Sequence, residues 1–187
     1  MKVYEGSHSQ AGQESFVLNT LMEKRSGFYL EIGAYDSKMM SNTYLLETQY
    51  GWSGLGLEID KARAEEYNLN RSNPCLNVDA TEFNYLEYFE SNNVPKSIDY
   101  LQVDIEPAFQ SLKALKSLPL DKYRFSVITF EHDLYADKNN AAIKQEAKDI
   151  LLSFNYVLVK DNVECEGKIF EDWYVDSSIY NHKEQNE

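Results

Sequence analysis

Short apolar runs alternate along this chain with segments whose apolar residues recur every three to four positions. The runs predict strands at about 28–33, 53–59, 75–79, 98–104 and 125–130. Helical spacing predicts helices at about 11–25, 43–50, 61–71 and 138–153. A further helix starts at Pro107, whose ring suits a first helical position, and carries Ala108, Leu112 and Leu115 on one side. In the first helix Phe16, Val17, Thr20 and Leu21 share a side, with Gly27 as its stop. In the last, Ile143, Ala147, Ile150, Leu151 and Phe154 form one stripe, closed by Asn155 in a left-handed conformation. Two more runs, 156–159 and 172–175, follow one another without a helix between them, and 177–187 reads as a polar tail. Alternating strands and helices mean crossover connections and a largely parallel sheet; the final pair implies an antiparallel edge. The class is α/β.

At 187 residues, with 43% hydrophobic and 13% aromatic content, the chain suits one domain with a sizeable core at about 9–175. No apolar run approaches the roughly 20 residues that span a bilayer, and the first residues lack the apolar core of a signal peptide. With only Cys75 and Cys165, neither a disulfide scaffold nor a cysteine zinc site is readable, and a reducing, cytoplasmic location is expected. The net charge of −13, with no Lys/Arg cluster, disfavours a nucleic-acid partner. A small neutral substrate or a cationic cofactor fits that charge, as does a merely solubilising surface.

Several predicted strands end in acids: Glu31, Glu58, Asp79, Asp104 with Glu106, and Glu131 with Asp133. Carboxyl ends of parallel strands share one rim, where open α/β sheets bind ligands. Asp79, Asp133 and Glu106 have a second reading as helix caps. Crowded carboxylates repel, so a cation or hydrogen-bond donors must compensate them. The loop after the first strand departs from a dinucleotide fingerprint, because Tyr35 and Lys38 stand where the glycines after Gly33 belong. A glycine-only conformation at Tyr35 would cost about 1–3 kcal/mol. A differently built loop is therefore expected, without a docked pyrophosphate.

Several segments occur in order: Ser9-Gln10-Ala11-Gly12-Gln13-Glu14, Gly27 through Asp36, Ser41-Asn42-Thr43 through Glu47, Gly51-Trp52 through Glu58, Asn70-Arg71, Ile98 through Glu106, and Ile128 through His132. In these the chain resembles the FkbM-type family of S-adenosylmethionine-dependent methyltransferases over roughly residues 9–175. Two positions depart from the family pattern, Pro107 after the Asp-x-Glu segment and Ser37 after Asp36, where glycines are usual. The resemblance implies a Rossmann-like methyltransferase fold, with a mostly parallel seven-stranded sheet, an antiparallel edge and helices on both faces. It implies S-adenosylmethionine above the first strands, with Glu31, Gly33 and Ala34 under the methionine and ribose. Glu58 would hold the ribose hydroxyls, with Asp79 and Ala80 beside the adenine. Asp36, Ile59 and Asp104 complete the implied cofactor set. Ser41, Asn42 and Thr43 read as a helix cap that can also receive the cofactor carboxylate.

Methyl transfer from a sulfonium to oxygen requires alignment, exclusion of water and a proton acceptor. Asp104, Glu106 and His132 are the candidates for that acceptor, His132 because its ordinary pKa lies near neutrality. A divalent ion held by Asp104, Glu106, Glu131 and Asp133 is an alternative use of the same acids. The expected reaction is O-methylation of a small hydroxylated acceptor such as a sugar or glycan-linked group, with attack at nitrogen left open. Two rivals stand beside it: a metal-dependent glycosyltransferase using Asp104 and Glu106, and a binding module that keeps the fold without the reaction.

Overall fold

Period-two alternation of side chains along the central strands sorts the molecule into two packed faces. In the computed structural model, which describes residues 1–184, five strands run parallel: β1 (Phe28–Ile32), β2 (Ser53–Glu58), β3 (Cys75–Asn77), β4 (Ser97–Val103) and β5 (Arg124–Glu131). A hairpin of β6 (Tyr156–Cys165) and β7 (Lys168–Asp176) completes the sheet, with β7 antiparallel between β5 and β6. The order is β3-β2-β1-β4-β5-β7-β6. The order in which strands are added therefore reverses between the parallel neighbours β1 and β4, the place where a crevice opens above the strand ends. The largely parallel sheet with an antiparallel edge is what the alternating pattern predicts, and the Rossmann-like order is what the family resemblance implies.

On one face Leu30, Ile32, Leu55, Leu57, Leu101, Val103, Ile128 and Phe130 are buried beneath α4 (Tyr85–Ser91), α5 (Ala108–Ser117) and α6 (Asn140–Ser153). On the other, Tyr29, Tyr100, Val127 and Trp173 meet α1 (Gln13–Thr20) and α2 (Tyr44–Tyr50). Phe16 of α1 stacks on Trp173 with ring centroids 4.4 Å apart. Here α3 (Lys61–Asn70) adds Ala64 and Tyr67, packed with Ala34 and Cys75. Toward the carboxyl ends this second face turns polar. The register sets Glu31 beside Gln102, Gln102 beside Thr129, and Thr129 beside Trp173. Among the described residues no helix is long and apolar enough to cross a membrane.

Element boundaries depart from expectation in ways that have local causes. Helix α1 stops at Thr20, because Met22 and Glu23 take positive φ and end the turn well before Gly27. Gly27 has a packing reason instead: a Cβ there would lie 2.6 Å from the Trp52 ring. Pro107 is the residue before α5 rather than its first. Helix α4 has no predicted counterpart; Asn84 caps it by accepting from the Glu87 N–H at 3.3 Å. The segment expected as a polar tail begins with helix α7 (Ser177–Glu184), started by Asp176, whose Oδ1 accepts from the Ser178 N–H at 2.9 Å. Residues 185–187 of that segment lie outside the described part. Asn155 does close α6 at φ 62°.

One glycine is demanded by the sheet itself. Gly33 has φ +84°, and a Cβ there would stand 1.7 Å from the backbone carbonyl oxygen of Asp104. Backbone meets backbone, so neither side can yield as a flexible side chain would. Gly33→Ala is expected to destabilise the fold by more than about 3 kcal/mol, through strain at positive φ plus displacement of β4. Chemical denaturation of the parent and the variant measures it; Gly51→Ala, at φ +69° with nothing within 4 Å, is the control and should cost less.

Candidate active site

A cavity of about 470 Å³ opens above the carboxyl ends of β1, β2, β3 and β4. That volume lies within the range of small-molecule and cofactor sites. Its lining includes Glu31, Gly33, Ala34, Asn42, Glu58, Ile59, Asp79, Ala80, Asp104 and Glu106 from the expected set, joined by Gln102, Glu131 and Tyr135. Six carboxylates and no Lys or Arg line it. The acid-tipped strands do converge on one hollow.

Glu58 ends β2 with both carboxylate oxygens engaged by backbone. Oε2 accepts from the Tyr35 N–H at 2.9 Å and Oε1 from the Asp60 N–H at 2.8 Å. Each oxygen keeps a second lone pair for a hydroxyl donor. This contact also explains the loop after β1. Tyr35 takes φ +50°, in the left-handed region that is costly for a side chain of its size. The strain is offset because the turn delivers its N–H to Glu58, while Arg63 stacks 3.6 Å over the Tyr35 ring.

Beside this loop a buried guanidinium holds the wall together. Arg71 donates from Nε to Glu47 Oε2 at 2.8 Å, from Nη1 to the Ser37 carbonyl at 3.0 Å, and from Nη2 to Thr43 Oγ1 at 3.0 Å. It also reaches Ser41 Oγ at 3.3 Å and Tyr29 Oη at 3.1 Å. Its side chain is 0% exposed, so each donor must find a protein partner. Glu31 belongs to the same group, accepting from the hydroxyls of Thr43 at 2.8 Å and Tyr67 at 3.2 Å. Burial pushes the Glu31 carboxyl up to about 7, against the lowering influence of Arg71. Neither the apolar pattern nor the strand-end acids point to Arg71 as this hub, since its partners lie 24 to 42 residues away in sequence.

Three expected cofactor residues stand behind the wall rather than in it. Ser41 and Thr43 are buried and do not line the cavity. Ser41 Oγ caps α2 by accepting from the N–H groups of Thr43 and Tyr44, while the Thr43 hydroxyl is given to Glu31. Asp36 also stays outside, its Oδ1 accepting from the N–H groups of Lys38 and Met39. Asn42, between them, does face the cavity, and its Oδ1 is buried without a hydrogen-bond partner. Asp79 keeps both roles: it lines the cavity and caps its own turn through the Thr81 N–H at 2.8 Å.

At the far end Asp104 and Glu131 touch. Burial, with the neighbouring charges, pushes both carboxyls upward, and Glu131 is hydrogen-bonded to Asp104 and Asp133. Two carboxyl groups in contact cannot both ionise cheaply, so the pair holds a proton more tightly than separate carboxyls would. His132, expected among the proton acceptors, is not part of this group. It is fully buried on the opposite side of β5, its Nδ1 accepting from the Leu134 N–H at 3.3 Å and its Nε2 3.4 Å from Asp172 Oδ1. Burial alone would raise Asp172, but His132, the Asn162 N–H and Lys144 hold it down at about 2. The signal was present: consecutive strand residues face opposite ways, so Glu131 and His132 could not both reach the cleft. Among the described residues no group of three or more His, Cys, Asp or Glu side chains assembles a metal site, so the four acids named for a divalent ion do not form one.

No family model and no curated protein matches this sequence. Solved structures do. The O-methyltransferase from Bacillus cereus in complex with SAH is similar at TM-score 0.61 and 16% identity, over 93% of this chain and 84% of that one. The human methyltransferase 10 domain containing protein is similar at TM-score 0.57 and 13% identity, over 88% and 79%. The N-methyltransferase NodS from Bradyrhizobium japonicum WM9, in complex with S-adenosyl-L-homocysteine, is similar at TM-score 0.52 and 10% identity, over 88% and 85%. At these identities the likeness is one of fold: the chain has the Rossmann-like architecture of S-adenosylmethionine-dependent methyltransferases.

Two consequences are measurable. Arg71→Ala leaves Glu47 and Glu31 without their counter-charge, and stability should fall by about 3–5 kcal/mol, read by urea denaturation. The second concerns pH. Glu171 is buried, accepts from Gln13 Nε2 at 2.7 Å, and is pushed up to about 8, mainly by burial. An acid whose folded pKa is raised holds its proton more tightly when folded. Its contribution is therefore full below about 4.5 and is lost as pH rises through about 8. Unfolding free energy should fall across that window, by on the order of 3–5 kcal/mol from this group, and Glu171→Gln should flatten the slope.

Proposed function

We propose that this chain is an S-adenosylmethionine-dependent methyltransferase of FkbM type, acting on the hydroxyl of a small acceptor such as a sugar or glycan-linked group. The observation that carries the reading is the cavity lining: acid after acid at the strand ends, Glu58 at β2, and no cationic side chain. A nucleotide diphosphate would need a bridging cation to sit among these acids. Among the described residues no group of three or more His, Cys, Asp or Glu side chains is placed to hold one, which counts against the glycosyltransferase alternative. A sulfonium with an attached ammonium meets attraction.

The residues present fit that cofactor. Glu58 would accept from the ribose hydroxyls through the lone pairs its backbone partners leave free. Asn42 Oδ1, buried and without a partner, suits the methionyl ammonium, a group with three N–H donors. Ala80, with Val78 and Leu57, supplies apolar surface for the adenine. When bound, the cofactor supplies an electrophilic methyl group. The chain's own contribution is then positional. The Arg71 network holds the 37–43 wall, and the Gly33 turn packs against β4. The Asp104–Glu131 pair, with Glu106 beside it, receives the hydroxyl proton as the new C–O bond forms.

Titration calorimetry with S-adenosylmethionine and S-adenosylhomocysteine tests the reading. Both should bind, and Glu58→Ala should weaken them by about 1.5–3 kcal/mol, the worth of hydrogen bonds to a charged acceptor. Absence of binding for either ligand at millimolar concentration defeats the proposal; an unchanged affinity in the variant removes Glu58 from the site.

A further inference from the structure

The six cavity carboxylates fall into two groups by how the protein satisfies them. Glu31 is answered by Thr43, Tyr67 and the charge of Arg71. Glu58 is answered by two backbone N–H groups, and Asp79 by the N–H and hydroxyl of Thr81. Asp104, Glu106 and Glu131 are different. Among the described residues no N–H or hydroxyl donates to any of them; Asp104 and Glu131 have each other, and Glu131 also has Asp133. All three sit together at the β4–β5 end of the cavity.

A second observation stands apart from that cluster. Gln102, two residues before Asp104 and on the same face of β4, lines the cavity, is 3% exposed, and leaves its Oε1 without a hydrogen-bond partner. A buried unsatisfied acceptor is costly, on the order of 1–3 kcal/mol. An acceptor-only corner of this kind lacks donors and positive charge together. Water could supply the donors but not the charge. The cofactor's ammonium is already suited by Asn42, and its sulfonium has no N–H to give.

We propose that the acceptor is a hydroxylated molecule carrying an ammonium group, such as an amino sugar or amino alcohol, and that Gln102, Asp104, Glu106 and Glu131 bind this ammonium beside the reacting hydroxyl. The inference rests on the methyltransferase reading and adds the acceptor's charge. An ammonium offers three donors and one positive charge, which matches the deficit. It also relieves the repulsion between Asp104 and Glu131. An acceptor bearing a carboxylate or phosphate is excluded by the same acids. In the transfer itself the acceptor oxygen forms its bond to the methyl carbon as the sulfonium–methyl bond breaks. The bonding pair remains on sulfur as a thioether, and the hydroxyl proton passes to the carboxyl pair.

The test uses the whole chain and three probes of one shape: glucosamine, glucose and glucuronate, each titrated into protein saturated with S-adenosylhomocysteine. Glucosamine should bind about tenfold or more tightly than glucose, and glucuronate should not bind. Glu106→Gln and Glu131→Gln, tested separately so that a misfolded variant leaves the other to decide, should each erase the glucosamine preference while S-adenosylhomocysteine affinity stays within about twofold. Equal affinity for glucosamine and glucose, no binding of glucosamine, or a preference that survives both variants overturns the inference alone. Failure of S-adenosylhomocysteine to bind in the first titration overturns the methyltransferase reading, and this inference with it.

Discussion

A guanidinium with no access to solvent must have every donor answered, and that constraint organises the cavity-facing side of this protein. Arg71 leaves the end of α3 and reaches back across the sheet to the hydroxyl of Tyr29 on β1, the carboxylate of Glu47 on α2, and the 37–43 segment between them. Three pieces of chain, each 24 or more residues from Arg71 in sequence, thereby share one centre of charge. Glu31 can remain buried at a strand end because Thr43, Tyr67 and Arg71 surround it. With the Thr43–Glu31 bond, this anchor ties the loop that presents Asn42 to β1. The polar chemistry of the cleft thus depends on a cation that never enters it.

The same economy governs the acids. Parallel strands deliver their carboxyl ends to one rim, which concentrates negative charge there whether or not each acid has a role. Local capping explains some of the charge, as at Asp79, and backbone donors explain some, as at Glu58. What remains unexplained by the fold is a short list at the ends of β4 and β5. There the protein has supplied acceptors and withheld donors. Folding alone gives no reason to keep such an arrangement, since like charges in contact are destabilising.

Much of this architecture is readable from the order of residues, and the limits have physical origins. Strands were legible because buried parallel strands carry near-continuous apolar runs, as in Phe28 to Ile32 and Phe125 to Phe130. Helix ends were less so. Met22 and Glu23 terminate α1 with positive φ that their side chains do not advertise. Helix α4 alternates acids with aromatics over only seven residues, too short for a period to register. At the site, the strand-end acids were visible as a class. Which of them face the cavity free of protein donors depends on loop geometry and on Arg71, neither of which has a local signature. Tyr35 adopts a left-handed conformation whose cost the Glu58 contact offsets, a pairing across 23 residues that no local pattern announces.

The turn at Gly33 has a mechanical meaning beyond its stereochemistry. Its Cα lies so close to the Asp104 carbonyl that not even a methyl group fits between the chains. A seam without spare volume transmits displacement instead of absorbing it. The β1 turn and the tip of β4 must therefore shift as one rigid piece, and the distance between whatever rests on the one and whatever is gripped by the other is set by main chain alone. Under the methyltransferase reading proposed above, in which donor and recipient must meet in line, that spacing is a property of the backbone.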